Sequence, residues 1–480
     1  MAIEMSSPWI VGPIGAFAGA AFAWIASEYR TRKTYRGAIL LLAKSADDFA
    51  SMGQLDKALS IYDRILTDLP RLEPAVRGMV RFRQGLSRYS SSFQGARDTN
   101  LSLAVEAFEE AIGLFKAEKH PDEHARAQNG LGMSLLRLSE TGGECWGDLA
   151  HRRERGGGDG PVQNLKRAIG AFEAALKIYS AQERASERAQ ERAQTENNLG
   201  DALVQLAGLE ASGDDPAAAG AAAEDLNRAI EAYQAALLFR TRDDHPDDYA
   251  ETRNSLGGAW MALARLEEGE ERKAHLEKAM IDFKAALEVR APASHPEDRA
   301  ETQTLLGRAL VLESEPEVSG GEIRWSDREG LKTAIEAYEE ALTVRTRKDH
   351  PRKFAETKNL LGRALIILAG PARGPEDAAN LRRAIRAFEE ALEVLTMEAC
   401  PLEYAEVQSN LGIAYRNLSK LEDRGDNLER SIWAYEEALR ARSGMAKKRV
   451  GEKEEGGEEK GGWIESEKKS EEGKGGVGGA

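Results

Sequence analysis

One helical motif, written eight times along the chain, restricts this sequence more than anything else. It reads LDKALSIYDRIL from Leu55, LSLAVEAFEEAI from Leu101, LKRAIGAFEAAL from Leu165 and LNRAIEAYQAAL from Leu226. It continues as LEKAMIDFKAAL from Leu276, LKTAIEAYEEAL from Leu331, LRRAIRAFEEAL from Leu381 and LERSIWAYEEAL from Leu428. The copies set Leu at i, Ala (once Ser) at i+3, Ile or another large apolar residue at i+4 and an aromatic residue at i+7, the apolar stripe of an amphipathic helix. A second motif alternates with it: NGLGMSL from Asn129, NNLGDAL from Asn197, NSLGGAW from Asn254, TLLGRAL from Thr304, NLLGRAL from Asn359 and SNLGIAY from Ser409. In this second helix the glycine lets a neighbouring helix come close.

Spacing separates the rigid joints from the variable ones. From the Ala of the first motif to the Leu of the next Leu-Gly helix the offset is 27 residues in five cases and 31 in the sixth. The four extra residues coincide with the ERAS–ERAQ–ERAQ run from Glu183 to Gln194 and amount to about one helical turn, which keeps the apolar face in register. The opposite joint varies from 20 to 37 residues, so loops leave the stack along one edge, where length costs little. At the constant joint stand His120, His245, His295, His350 and Cys400, each followed by Pro. Proline in a first helical turn loses no needed N–H, and acidic residues there complement the helix dipole.

The alternation resembles the tetratricopeptide repeat (TPR), with Leu-Gly-x-x-aromatic in helix A and Ala-x-x-x-aromatic-x-x-Ala in helix B. The segment from Leu40 to Pro70 is nearest the standard form, and later copies resemble the longer-helix variants of kinesin light chains and prokaryotic signalling scaffolds. The resemblance implies an all-α, right-handed superhelical solenoid of about eight antiparallel helix hairpins, whose helix A face lines a concave, protein-binding groove.

On that face Glu251, Asn254 and Gly258 share a helix side, as do Glu301, Thr304 and Arg308; Glu356, Asn359 and Arg363; and Glu406, Ser409 and Ile413. Earlier copies give Arg126, Asn129 and Met133, then Gln194, Asn197 and Asp201. A column of Asn suits the backbone of an extended peptide, and Arg308 and Arg363 suit an acidic side chain. The same residues are equally suited to bridging adjacent repeats. The family's Lys-x-x-x-Asn carboxylate clamp is missing from all six sets, which argues against recognition of chaperone C-terminal tails.

Composition agrees. The 480 residues carry 66 basic and 81 acidic side chains, a charge of −15, which argues against nucleic acid as partner. Cys145 and Cys400 give neither a disulfide framework nor a zinc set, and fit a reducing compartment. Catalytic chemistry is sparse: the His-Pro histidines should ladder along the surface, HPDEH is not HExxH, and no P-loop, Rossmann or GxSxG motif occurs. The expectation is a non-enzyme without cofactor or metal.

The N-terminus reads as a membrane anchor. From Pro8 to Ala26 no charge occurs, and 19 helical residues span roughly 28 Å. Trp9 and Trp24 lie near its ends, and Arg30, Arg32, Lys33 and Arg36 follow, so the positive-inside rule leaves the rest cytoplasmic. A cleaved signal peptide fits less well because the preceding region is acidic, and a buried core helix is the third reading. Gly15 and Gly19 form a GxxxG, a helix-pairing face. The expected order is an extracytoplasmic segment 1–7, a membrane helix 8–26, a basic segment 27–36, the repeat array 37–443 and a disordered Gly/Glu/Lys tail 444–480. Inserts from Thr141 to Gln163, Ala211 to Ala223 and Ser314 to Gly330 read as loops. The function expected is a membrane-tethered adaptor with a protein or peptide ligand. The alternative is a structural homo-oligomer built through the anchor and the repeat ends.

Overall fold

A computed structural model describes residues 32–69, 72–140, 160–181, 188–211, 216–315, 317–319, 322–324 and 328–444. Sixteen α-helices lie among the described residues. They are α1 (Arg32–Ser51), α2 (Leu55–Asp68), α3 (Pro74–Ser91), α4 (Arg97–Leu114), α5 (Pro121–Ser139), α6 (Pro161–Ala181), α7 (Ala189–Glu210) and α8 (Pro216–Leu237). Then follow α9 (Pro246–Ala264), α10 (Gly269–Val289), α11 (Pro296–Glu313), α12 (Arg328–Val344), α13 (Pro351–Ala369), α14 (Pro375–Leu392), α15 (Pro401–Leu418) and α16 (424–444). Between α11 and α12 strands β1 (Glu317–Ser319) and β2 (Glu322–Arg324) pair antiparallel, Val318 opposite Ile323. The fold is an all-α helical-hairpin repeat of the TPR-like kind, with this one small ribbon.

The chain divides into two compact units, the first ending at Leu266 and the second carrying everything described from Glu267 onward. Unit 1 holds α1–α9 and unit 2 holds α10–α16. In both units the odd-numbered helices are the A helices and the even-numbered helices the B helices. In unit 1 each helix packs on its sequence neighbours, and α1, α3, α5, α7 and α9 also pack on one another in turn. In unit 2 α11, α13 and α15 do the same. Successive B helices approach one another less closely. Within each unit the A helices therefore form the tighter, inner layer.

The repeated stripe explains this packing. In α14 the side chains of Leu381, Ala384, Ile385, Phe388 and Ala391 are buried, at the i, i+3, i+4, i+7 and i+10 positions. A buried side chain of the size of Leu or Phe contributes roughly 1.5–3 kcal/mol. Phe388 rests against Gly362 of α13 so closely that a Cβ there would sit 2.5 Å from its Cε1. Gly307 of α11 faces Tyr338 of α12 in the same way, at 2.7 Å. The aromatic ring of helix B thus occupies the space that the missing side chain of helix A leaves open.

The His-Pro joints fall at helix starts. His120, His245, His295, His350 and Cys400 are the residues before α5, α9, α11, α13 and α15, all with φ near −133° to −138° and with Pro at the first helical position. The Tyr249 N–H donates to the His245 carbonyl at 2.8 Å, closing the first turn of α9.

Three expectations need correction. No helix among the described residues is long and apolar enough to cross a membrane, which removes the single-pass reading with a cytoplasmic array. The 22-residue α7 has the length but carries Glu191, Arg192, Glu196, Asp201 and Glu210, and charged side chains are costly in hydrocarbon. The stretch Pro8–Ala26, with Gly15 and Gly19, lies outside the described residues, as does most of the tail from residue 445. The insert read as a loop from Ala211 to Ala223 is helical from Pro216, because its alanine run has the highest helix propensity of any residue. The polar insert after Ser314 contains the β1–β2 ribbon.

Candidate binding face

The six residue sets expected to line a groove all fall on the inner A helices α5, α7, α9, α11, α13 and α15. Many of their polar groups are used within the protein. Asn198 donates to the Asn129 carbonyl oxygen at 3.3 Å, tying α7 to α5. Asn197, 1 % exposed, accepts from the Thr252 hydroxyl at 2.9 Å and donates to Asp201 at 3.2 Å. Thr304 is buried and accepts from Arg345 Nη1 at 3.0 Å, while Glu301 pairs with the same guanidinium. Asn410 donates to Asn359 at 3.0 Å, and Asn359 in turn donates to Glu406 at 3.1 Å. Glu356 accepts from Arg352 at 3.0 Å, and the Ser409 hydroxyl is turned onto the Ala405 carbonyl at 2.8 Å. Four of these bonds join neighbouring A helices and stiffen the layer; the others stay within one helix or reach Arg345 after α12.

Four members of the sets stand apart. Glu251 is exposed, and Asn254 is half-buried with its carbonyl oxygen enclosed and without a hydrogen-bond partner. Arg308 and Arg363, on adjacent A helices of unit 2, are half-buried, and no described residue forms an ion pair or hydrogen bond with either. Two arginines on the B helix α14 of the same unit are paired: Arg382 binds Glu422 and Arg383 binds Glu339, each at 2.7 Å.

Both unpaired arginines follow the Leu-Gly step, and both are felt at the hydroxyl of Tyr338. Burial raises the Tyr338 pKa above the ordinary tyrosine range, and the charges of Arg308 and Arg363 pull against it. The Tyr338 side chain is fully buried, and its oxygen has no hydrogen-bond partner. Buried tyrosines at the same place in other hairpins are satisfied from helix A. Tyr62 donates to Asp47 Oδ1 at 2.5 Å, and Tyr233 donates to Asp201 Oδ1 at 2.7 Å.

A set of arginines at the ends of B helices was not singled out from the sequence. Arg240 donates to Thr252 at 2.8 Å and to Gln194 at 2.6 Å. Arg290 donates to Thr302 at 2.5 Å, and Arg345, 3 % exposed, reaches Thr304, Glu301 and Glu297. The signal was present: each lies five residues before the histidine of a His-Pro joint. In unit 1 a shallow pocket between α2, α3 and α4 is lined by Asp63, Arg81, Arg88 and Glu110, whose charges pair as Arg81–Glu110 at 2.7 Å and Arg88–Asp63 at 3.8 Å.

Among the described residues no group of three or more His, Cys, Asp or Glu side chains is placed to hold a metal ion. Cys400 is disulfide-bonded. Cys145 lies outside the described residues.

No protein-family model matches the chain, and no curated protein matches it. Solved structures do. The crystal structure of MamA is 18 % identical, covers 48 % of this chain and 98 % of its own, and gives a TM-score of 0.30. The C-terminal part of a TPR repeat-containing protein from Cytophaga hutchinsonii is 13 % identical, with 73 % and 95 % covered and a TM-score of 0.39. Aspartyl phosphate phosphatase F from Bacillus subtilis is 13 % identical, with 92 % and 96 % covered and a TM-score of 0.39. The TPR-like reading stands on the hairpins and the glycine–aromatic contacts described above.

Proposed function

We propose that this chain is a non-catalytic scaffold that binds a protein or an extended peptide along the A-helix layer of a repeat array spanning residues 37–443. The supporting observation is the A-helix layer of each unit: A helices pack on one another in turn and carry a row of polar positions, with Asn254 half-exposed in unit 1 and Arg308 and Arg363 half-exposed in unit 2. The internal bonds of Asn129, Asn197, Thr304 and Asn359 hold that row rigid, and a pre-organised surface loses less entropy on binding.

The test is affinity capture with wild type beside a variant carrying Asn254→Ala, Arg308→Ala, Asn359→Ala and Arg363→Ala, with helicity checked by circular dichroism. Loss of a polypeptide partner from a folded variant is expected. Unchanged capture would move binding to the loops or the ends of the array.

A second reading, self-association through the array end, has one observation in its favour. On α16 Ile432, Trp433 and Leu439 are 57 %, 55 % and 65 % exposed. Repeat arrays usually close with a polar outer face.

A further inference from the structure

We propose that Arg308, Arg363 and the Tyr338 hydroxyl form an anion subsite that takes a carboxylate side chain of an acidic peptide lying along the A-helix layer of unit 2. This deepens the scaffold reading and rests on it.

The inference starts from a contrast within the chain. At Tyr62 and Tyr233 the buried hydroxyl meets an aspartate supplied by helix A, Asp47 and Asp201 respectively. Asp201 is the residue after the Leu-Gly step of α7, and in α11 and α13 that step is followed by Arg308 and Arg363. Tyr338 is fully buried and has no acceptor, and an unmet buried hydroxyl costs on the order of 1–3 kcal/mol. The carboxylate that two other hairpins supply from their own sequence is missing here, and two cations stand in its place.

The chemistry of those groups selects the ligand. The two guanidinium groups can only donate, and the phenol O–H has a proton to donate beside them, so the complement is an oxyanion. Packed helices lie roughly 8–10 Å apart, within reach of two long arginines from adjacent A helices. Gly307, the neighbour of Arg308, lies against the Tyr338 ring, and the charges of Arg308 and Arg363 both lower the pKa of its hydroxyl. Neither guanidinium is tied to a carboxylate of the described residues, so no internal ion pair has to break before a ligand binds. A carboxylate accepts from a guanidinium fork in parallel and keeps a lone pair for the phenol. The internal pairs Tyr62–Asp47 and Tyr233–Asp201 favour a carboxylate over other anions as the matching group.

The experiment titrates the full chain with two capped hexapeptides, Gly-Ser-Glu-Glu-Ser-Gly and its Gln-Gln counterpart, while following the arginine Nε–H resonances by NMR. Resonances are assigned with Arg308→Lys and Arg363→Lys. The Glu peptide is expected to shift both resonances and to bind at least tenfold more tightly than the Gln peptide. Tyr338→Phe should weaken the Glu peptide roughly tenfold to a hundredfold, the worth of one hydrogen bond to a charged group. Its fold is safe, because Phe388 already occupies the matching position of α14. The pair Arg308→Gln and Arg363→Gln should make the two peptides equal. Equal binding of both peptides to wild type would overturn the anion subsite while leaving the scaffold reading standing. Binding of neither peptide at millimolar concentration, or a preference for Glu that survives in the double Gln variant, would also overturn it.

Discussion

The Tyr233 hydroxyl of α8 donates to Asp201 Oδ1 of α7 at 2.7 Å, joining the two helices of one hairpin through a buried phenol and a carboxyl group. Burial pushes the Asp201 pKa up to about 6; the Tyr233 hydroxyl and the Arg240 charge pull it down, and Glu251 pushes it further up. The folded protein therefore holds a proton on Asp201 more tightly than the unfolded chain does. Its contribution to stability is fully present below the unfolded value of 3.8 and is lost as pH rises through about 6. Asp201→Asn removes the cost of the buried charge and can still accept the phenol. It is expected to raise the thermal midpoint relative to wild type at pH 7, by an amount equivalent to at most about 3 kcal/mol. The partial exposure of Asp201 brings the expected value below that ceiling. The difference between variant and wild type should shrink as the pH falls to 4, and a gap independent of pH would contradict the assignment.

Arg345 should be the most sensitive of the arginines at the ends of B helices. It is 3 % exposed and donates to Thr304 Oγ1 at 3.0 Å and Glu297 Oε1 at 3.1 Å, besides pairing with Glu301. Arg345→Ala leaves these groups without their common donor. The expected cost is about 2 kcal/mol, below the range for fully buried pairs because both glutamates keep some exposure. Arg345→Lys should recover only part of it, since an ammonium cannot reproduce the planar fork. The midpoint of urea unfolding reads both.

Glycine to alanine inside a helix normally stabilises by about 1 kcal/mol. At Gly362 the sign should reverse, because the new Cβ would lie 2.5 Å from Phe388 Cε1. Gly362→Ala is expected to cost about 1–3 kcal/mol through overpacking. In a Phe388→Leu background the same change should become much less harmful, and a double-mutant cycle measures that coupling directly. Additive effects would mean that the ring yields without strain.

The hairpins, their boundaries and the A and B assignment were legible in the sequence because they follow from local rules. Leu-Gly marks where a ring must fit, as at Gly307 and Tyr338, and His-Pro marks a helix start, as at His245. The fate of the polar face was not legible. Whether Thr304 meets a ligand or Arg345, 41 residues away, depends on where a side chain from another helix ends. The same holds for Asn359, which Asn410 and Glu406 engage from the next A helix. Arg308 and Arg363 were visible as cations, but the buried hydroxyl of Tyr338 that distinguishes them required the fold. The Pro216 helix was misread because glycine and proline within an alanine-rich stretch masked its propensity.

Self-association through α16 makes its own prediction. Replacing Ile432 and Trp433 with Ser leaves the buried side of the helix, with Ser431, Ala434 and Ala438, untouched. If the array end pairs with a second copy, light scattering should show wild type above the mass of one chain and the double variant at it. A wild-type mass of one chain across the concentration range would dispose of this reading.

The central claim is that the A-helix layer is the surface that binds protein. The most direct measurement places a photo-crosslinking amino acid at Glu251 on the A helix α9, and in parallel at Glu336 on the B helix α12, both on the full chain. Crosslinks to a second polypeptide are expected from position 251 and not from position 336. Crosslinks from position 336 alone would place the working surface on the outer layer and contradict the claim.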